Sequence, residues 1–326
     1  MEETLTLIGY HASHEQFPPS ELLEYVQLAE QAGFTAAMCS DHFLPWSESQ
    51  GESGFAWSWL GAALATTNLP FGVVNAPGYR YHPAIIAQAV ATLIEMFPGR
   101  FWVATGSGEA MNEHITGEHW PIKAERNARL RESVDIMRAL WAGELVTHNG
   151  RVVVDEAQLY TLPPEPPLVV GAALSIETAG WMGGWADALI TINQPDGKDR
   201  DVISAFRDNG GRNKPVYLQV HLSWHPGEGH ARQNAWDQWR TTAQDSKVLA
   251  DLRLPHQFEA AAKFVRPEDM DGGVRISADP QQHLEWLRQD LELDLAGLML
   301  HNVGRNQQEF IEAFGNAIIP DLISRS

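Results

Sequence analysis

A single cysteine, Cys39, among 326 residues excludes an intramolecular disulfide, and with it the small stapled scaffolds of secreted proteins. Together with Met1-Glu2-Glu3, which has neither the basic nor the apolar region of a secretory signal, it leads to the expectation of a reducing, cytoplasmic setting. Positive charge is scarce. The 23 Lys and Arg stand against 42 Asp and Glu, a net charge of -19, which opposes binding to nucleic acid or to an anionic membrane surface. No apolar run reaches the roughly 20 residues a membrane span needs. The His-x-His pair that opens many metal-dependent barrel hydrolases is missing too, because Tyr10-His11-Ala12-Ser13-His14 has the wrong spacing. The sequence therefore predicts no metal site and a small-molecule partner, with a metal-dependent barrel hydrolase as the alternative from another class.

What is present is a βα unit repeated along the chain. The hydrophobic fraction of 44% and 12 Trp are enough for a large core, and the 20% of charged residues are interspersed, as in a globular protein. Leu5 to Tyr10 fits a buried strand. Ser20 is placed as the N-cap of a helix carrying Leu22, Leu23, Val26, Ala29 and Ala32 up to Gly33. Further strands are expected at Thr35 to Cys39, Leu69 to Asn75, Phe101 to Thr105, Leu168 to Ala173, Ala186 to Ile192, Val216 to Leu222 and Gly297 to Leu300. Helices follow at Trp57 to Thr66, from Pro83 to the stop at Pro98-Gly99, from about Ala124, and from Gln307 to Ile323. Eight such units predict an α/β fold, a (β/α)8 TIM barrel spanning 1–326 as one domain. Asn149-Gly150 signals a hairpin excursion near 145–155. Gly227 to Gly273 interrupts the pattern and is expected to be a helical insertion over the barrel mouth.

Chemistry is expected in loops at the carboxyl ends of the strands. Ser40-Asp41-His42-Phe43-Leu44-Pro45-Trp46 follows strand two, and Glu109 follows strand four. A barrel brings both to one pocket, where an imidazole and a carboxyl group face each other across a substrate, a pairing suited to hydride chemistry on an alcohol. The structural alternative is that Asp41 caps a turn and His42 packs inside. Gly106-Ser107-Gly108 has the character of a phosphate cradle or of a tight turn. Gly171-Ala172-Ala173-Leu174-Ser175 reads as an anion-binding helix start or as a plain βα turn with an N-cap Ser. Cys39 reads as a buried core thiol, Trp57 and Trp59 as core, and His221 and His225 as structural or pocket-lining.

Taken together, Gly9 to Ser13, Ser40 to Trp46, Arg80 to Gln88 and Gly106 to Glu113 resemble the luciferase-like monooxygenase superfamily, with insertions in its barrel. Within it they are most similar to the deazaflavin (coenzyme F-420)-dependent glucose-6-phosphate dehydrogenases and to a sister group that uses ordinary flavin. Arg126 to Ser133 and Gly297 to His301 extend the match. The resemblance implies a flavin- or deazaflavin-dependent oxidoreductase, monooxygenase or dehydrogenase, and a homodimer. His42 is implied as the base, Trp46 as a stabiliser of the reacting site and Glu109 as the acid. Asp41, Val73, Val74, Ala76, Ser107, Gly108, Asn112, Gly171, Ala172 and Ala173 are implied around the cofactor, with Val73-Val74 as a non-proline cis peptide, a bond that costs about 3 kcal/mol. Lys198, Lys247 and Arg275 are where a sugar phosphate would be held. Ala173-Leu174 stands in place of a Gly-Gly pair, and Ala76 in place of a Thr, which favours flavin mononucleotide (FMN) over the longer deazaflavin. A flavin-binding protein without catalysis is a further reading.

Overall fold

The computed structural model describes residues 6–194 and 197–323. Its strands are β1 (Leu7–Ala12), β2 (Ala36–Ser40), β3 (Phe71–Asn75), β4 (Phe101–Thr105), β5 (Val146–Asn149), β6 (Val153–Ala157), β7 (Val169–Ala172), β8 (Ala188–Ile192), β9 (Val216–Trp224), β10 (Arg275–Ser277) and β11 (Gly297–Asn302). Parallel pairing runs β9-β11-β1-β2-β3-β4-β7-β8 and returns from β8 to β9, closing an eight-stranded barrel. β10 pairs with the far end of β9 outside the ring, and β5 with β6 forms the antiparallel hairpin around Asn149-Gly150.

Helices return the chain on the outside. They are α1 (Pro19–Gln31), α2 (Ala56–Thr66), α3 (Pro83–Met96), the short α4 (Ala110–Glu113), α5 (Lys123–Trp141), α6 (Ile176–Gly183) and α7 (Lys198–Phe206), then α8 (Glu228–Trp239), α9 (Ser246–Leu249), α10 (Pro255–Ala261), α11 (Pro280–Leu291), α12 (Gln307–Ala317) and α13 (Ile319–Ile323). Alternation along each strand divides the apolar residues in two. Met38, Trp102, Ala104, Val170, Ile190, Tyr217 and Met299 fill the lumen, while Tyr10, Phe71, Val73, Val169 and Leu300 meet the helices. Trp102 stacks on Tyr217 with centroids 4.8 Å apart, in space left by Gly72, where a Cβ would collide with the indole. This floor leaves the carboxyl end of the barrel for polar side chains.

Several expectations need correction. Leu5 lies outside the described residues. α1 begins at Pro19, whose fixed φ suits the first helical position, so Pro18 and not Ser20 stands at the cap. The terminal helix is two pieces joined at Ile318. No cis peptide bond occurs among the described residues, so Val73-Val74 is trans and stays in regular register with Cys39-Ser40 and Val103-Ala104. Val73 faces the helical layer, and only Val74 looks toward the lumen. Gly171 is also turned outward, where its lack of a side chain admits Met182 of α6. Cys39 is buried, and burial pushes its thiol well up from the ordinary range.

Candidate active site

The loop after β2 is anchored by Asp41. Its side chain is buried and accepts hydrogen bonds from Trp57 Nε1 of α2 (3.2 Å), Asn75 Nδ2 at the end of β3 (2.8 Å) and the Tyr81 hydroxyl (3.0 Å). Arg80 donates to the Asp41 carbonyl at 2.7 Å and lies 3.4 Å from its carboxylate. A buried carboxylate is stable only when paired and hydrogen-bonded, and α2, β3 and the loop between β3 and α3 supply those partners. Arg80 also joins Glu113: its backbone N–H donates to Oε2 at 2.8 Å, and its Nε is 3.8 Å from Oε1. Burial nevertheless lifts the Glu113 carboxyl to about 7, against the pull of Arg80.

His42 is held from two sides. Its Nε2 lies 3.5 Å from Glu15 Oε1, and its Nδ1 lies 3.4 Å from Asn112 Nδ2. Glu15, on the loop after β1, is buried and accepts from the hydroxyls of Ser13 (3.0 Å) and Ser40 (2.7 Å). Burial opposes its charge, but His42, Ser40 and His11 outweigh that and keep its carboxyl below the usual range. Glu109 behaves in the opposite way: burial, with Glu15 adding to it, raises its carboxyl above the usual range despite His42, Lys123 and Arg126. One carboxyl is thus kept ionised and another is biased toward its acid form, around one imidazole. The Trp46 ring centroid is 5.2 Å from that of His42 and 5.4 Å from that of Phe258 of α10.

These groups open on a cavity of about 1410 Å³ at the carboxyl ends of β2, β3, β4, β7 and β8. Asp41, His42, Val74, Ala76, Ser107, Gly108, Glu109, Asn112, Ala172 and Ala173 line it, as does Lys247; Trp46, Val73 and Gly171 do not. Lys198 is exposed at the start of α7, away from the lining, and Arg275 is committed to a two-pronged ion pair with Asp290 of α11. The three basic residues expected around a phosphate therefore do not converge. Ser175 is an N-cap, accepting from the Thr178 N–H. The insertion does reach the mouth: Ser246, Lys247, Ala250, Asp251 and Arg253 line the cavity, Ala250 accepts from the Ala110 N–H, and Asp251 accepts from Trp120 Nε1.

Sequence reasoning passed over Glu15, Asn75, Arg80, Lys123 and Arg126, all placed at this site by the fold. Glu15 carried a usable signal, an acid directly after His14 in the loop leaving a barrel strand. Among the cavity-lining residues, Asn75 Oδ1, Thr191 Oγ1, Asn127 Oδ1 and Arg126 Nε are buried without a protein partner. Such atoms are ordinarily satisfied, and a planar heterocycle with amide-like edges and a phosphorylated side chain matches their mixture of donors and acceptors. Lys123 and Arg126 supply positive charge at the same wall, where Lys123 donates to the Ser107 hydroxyl at 2.9 Å.

Comparison with known proteins agrees with this geometry. Residues 4–295 match the model of the luciferase-like monooxygenase family. The chain is 34% identical over 331 residues to an F420-dependent glucose-6-phosphate dehydrogenase of Microbacterium testaceum (97% of each chain). It is 35% identical over 336 residues to one of Segniliparus rotundus, covering 97% of this chain and 98% of that one. A solved F420-dependent secondary alcohol dehydrogenase, in complex with an F420-acetone adduct, superposes with a TM-score of 0.89 at 29% identity, over 98% of this chain and 99% of that one. With the fold, the loops and the full-length match in agreement, the chain belongs to the luciferase-like monooxygenase family and is an oxidoreductase.

Proposed function

We propose that the chain binds a flavin-type ring in this cavity and transfers hydride between it and a small uncharged alcohol or carbonyl compound. The observation that carries the reading is His42, held between Glu15 and Asn112 on the same cavity wall system as Glu109. When bound, the ring supplies a two-electron hydride acceptor or donor. His42 takes the hydroxyl proton, Glu15 keeps the imidazole oriented and balances its charge, and Glu109 offers a proton from its raised carboxyl. Val74, Ala76 and Asn75 would border the ring, and Ser107, Gly108 and Lys123 would hold a phosphate-bearing side chain. Trp46 acts through His42, against which it packs. A small neutral substrate fits because Lys247 alone of the three expected basic residues reaches the cavity. A sugar phosphate is the second substrate reading, favoured by the relatives' names.

For the cofactor we favour FMN. Leu174 is 44% exposed at the cavity edge and Glu177 lies beside it, so bulk and negative charge meet the path of a longer, polycarboxylate tail. The deazaflavin F-420 is the second reading, supported by the relatives' names and by Arg126 and Arg131 in the cavity lining. Titrating the apoprotein with each cofactor by fluorescence separates them, and submicromolar binding of F-420 with none of FMN overturns the preference. On an identified substrate, His42→Ala and Glu109→Gln should each lower turnover at least a hundredfold; values within twofold of the unmodified protein refute the roles. We also propose a homodimer. Phe55, Ile85 and Val153 are exposed apolar groups around Tyr81 and His82, a patch that pairing would cover. Light scattering giving a monomer mass at micromolar concentration would remove this assignment.

A further inference from the structure

Which nitrogen of His42 carries its proton can be followed from atom to atom. Asn112, 5% exposed on the short α4, accepts the Phe43 backbone N–H on Oδ1 at 2.9 Å. A backbone N–H can only donate, so this contact fixes the amide and leaves Nδ2, a donor, facing His42 Nδ1 at 3.4 Å. On the other side, Glu15 Oε2 already accepts from the Ser13 and Ser40 hydroxyls. Oε1 remains for His42 Nε2, 3.5 Å away. Glu15 is ionised and can only accept, which calls for hydrogen on Nε2. Both neighbours ask for the same tautomer.

We propose that Asn112 and Glu15 are positioning residues that hold neutral His42 with its proton on Nε2, so that Nδ1 is the nitrogen that takes the substrate proton. The proposal rests on the reading of His42 as the base. Since His42 and Asn112 both line the cavity, a substrate hydroxyl that takes over the Asn112 contact donates to the single lone pair of Nδ1, and its oxygen can in turn accept from the freed Asn112 amide. As the O–H bond breaks and Nδ1–H forms, the electron pair left on oxygen becomes the carbonyl π bond, and hydride departs from carbon to an oxidised flavin-type acceptor. The doubly protonated imidazole that results is paired with Glu15, the arrangement by which a carboxylate orients a base in an acid–His–nucleophile triad. The other ionisable groups facing His42 are Glu109 and the buried His11 and His14, both of which burial holds down to about 4 and therefore neutral.

The tautomer is measurable without a substrate. In protein labelled with 15N-histidine, long-range proton–nitrogen correlations of His42, identified by their loss in His42→Gln, should show a protonated Nε2 and a bare Nδ1 when the ring is neutral. A protonated Nδ1 in the unmodified protein overturns the proposal. Asn112→Asp keeps the Phe43 contact and puts a carboxylate oxygen at Nδ1, so the proton should move to Nδ1 and the titration midpoint of His42 should rise by about one pH unit. Asn112→Ser, a smaller change should the Asp variant not fold, should give a mixture of tautomers. If neither variant alters the tautomer, Asn112 does not set it. The base role fails separately, by undiminished turnover of His42→Ala, whatever the spectra show.

Discussion

Removing the Asp41 carboxylate should unsettle the protein before any ligand is added. Its oxygens accept from Trp57, Asn75 and Tyr81 and lie 3.4 Å from Arg80, with Trp57, Asn75 and the Arg80 side chain buried and Tyr81 partly so. Hydrogen bonds to a charged group contribute about 1.5–3 kcal/mol each, but Asp41 is itself costly to desolvate, and water entering a truncated site recovers part of the loss. The more direct measure is the cost of leaving one member of a buried ion pair alone, about 3–5 kcal/mol. Glu113 softens that penalty, since Arg80 can turn to it. We therefore expect Asp41→Ala to lose about 3–5 kcal/mol, and Asp41→Asn, which keeps the shape and half of the acceptors, to lose about 1–3 kcal/mol. Urea unfolding of the apoprotein followed by tryptophan fluorescence reads both, with the midpoint at constant slope as the measure. A loss below about 1 kcal/mol for Asp41→Ala would show that Asp41 serves a ligand and not the loop, and would refute the anchor assigned to it.

Two further outcomes follow from buried charges. Glu113 holds its proton up to about pH 7 in the folded chain and releases it near 4.5 when unfolded, so the folded state binds more protons between those values. Its favourable contribution is complete below pH 4.5 and is lost as pH rises to 7, up to about 3 kcal/mol; urea midpoints measured from pH 5 to 7.5 should fall, and Glu113→Gln should flatten the slope. Arg275→Met should cost about 3–5 kcal/mol by stranding Asp290, whose carboxyl burial already raises, while leaving ligand affinity in the cavity unchanged; a thermal melt beside a cofactor titration separates the two effects.

The barrel was legible because its strands are short apolar runs between helix-compatible segments, and period and count suffice to pick them out. The positions of His42 and Glu109 were legible for a related reason, since strand ends in a parallel barrel share one face. Outside that logic the reading was weaker. Val73 and Val74 are indistinguishable by residue type, and only the phase of β3 turns one to the helices and the other to the cavity. Arg275 looked available for a phosphate because its partner, Asp290, lies on the next helix, fifteen positions away. Glu15 was missed because its meaning depends on Ser40 and His42, which reach it only when β1 and β2 pair.

Thirteen histidines also invited a metal, and the fold gives several of them another task. His11, His221 and His301 project into the lumen from β1, β9 and β11, with His11 and His301 centroids 4.3 Å apart. Gln219 contacts both His221 (3.1 Å) and His301 (3.4 Å), and Trp239 at the end of α8 closes over them. Burial drives His11 to about 4 and His221 to about 3, and His301 well below its ordinary value, so the cluster is uncharged in the physiological range. Neutral rings tied by amides can be packed where charged groups could not. They fill the β9–β11–β1 side of the mouth, where Gln219 of β9 also reaches the cavity, so the cavity lies mainly over β2, β3, β4, β7 and β8, and Asp41, His42, Glu109 and Asn112 look into it and not across an empty barrel.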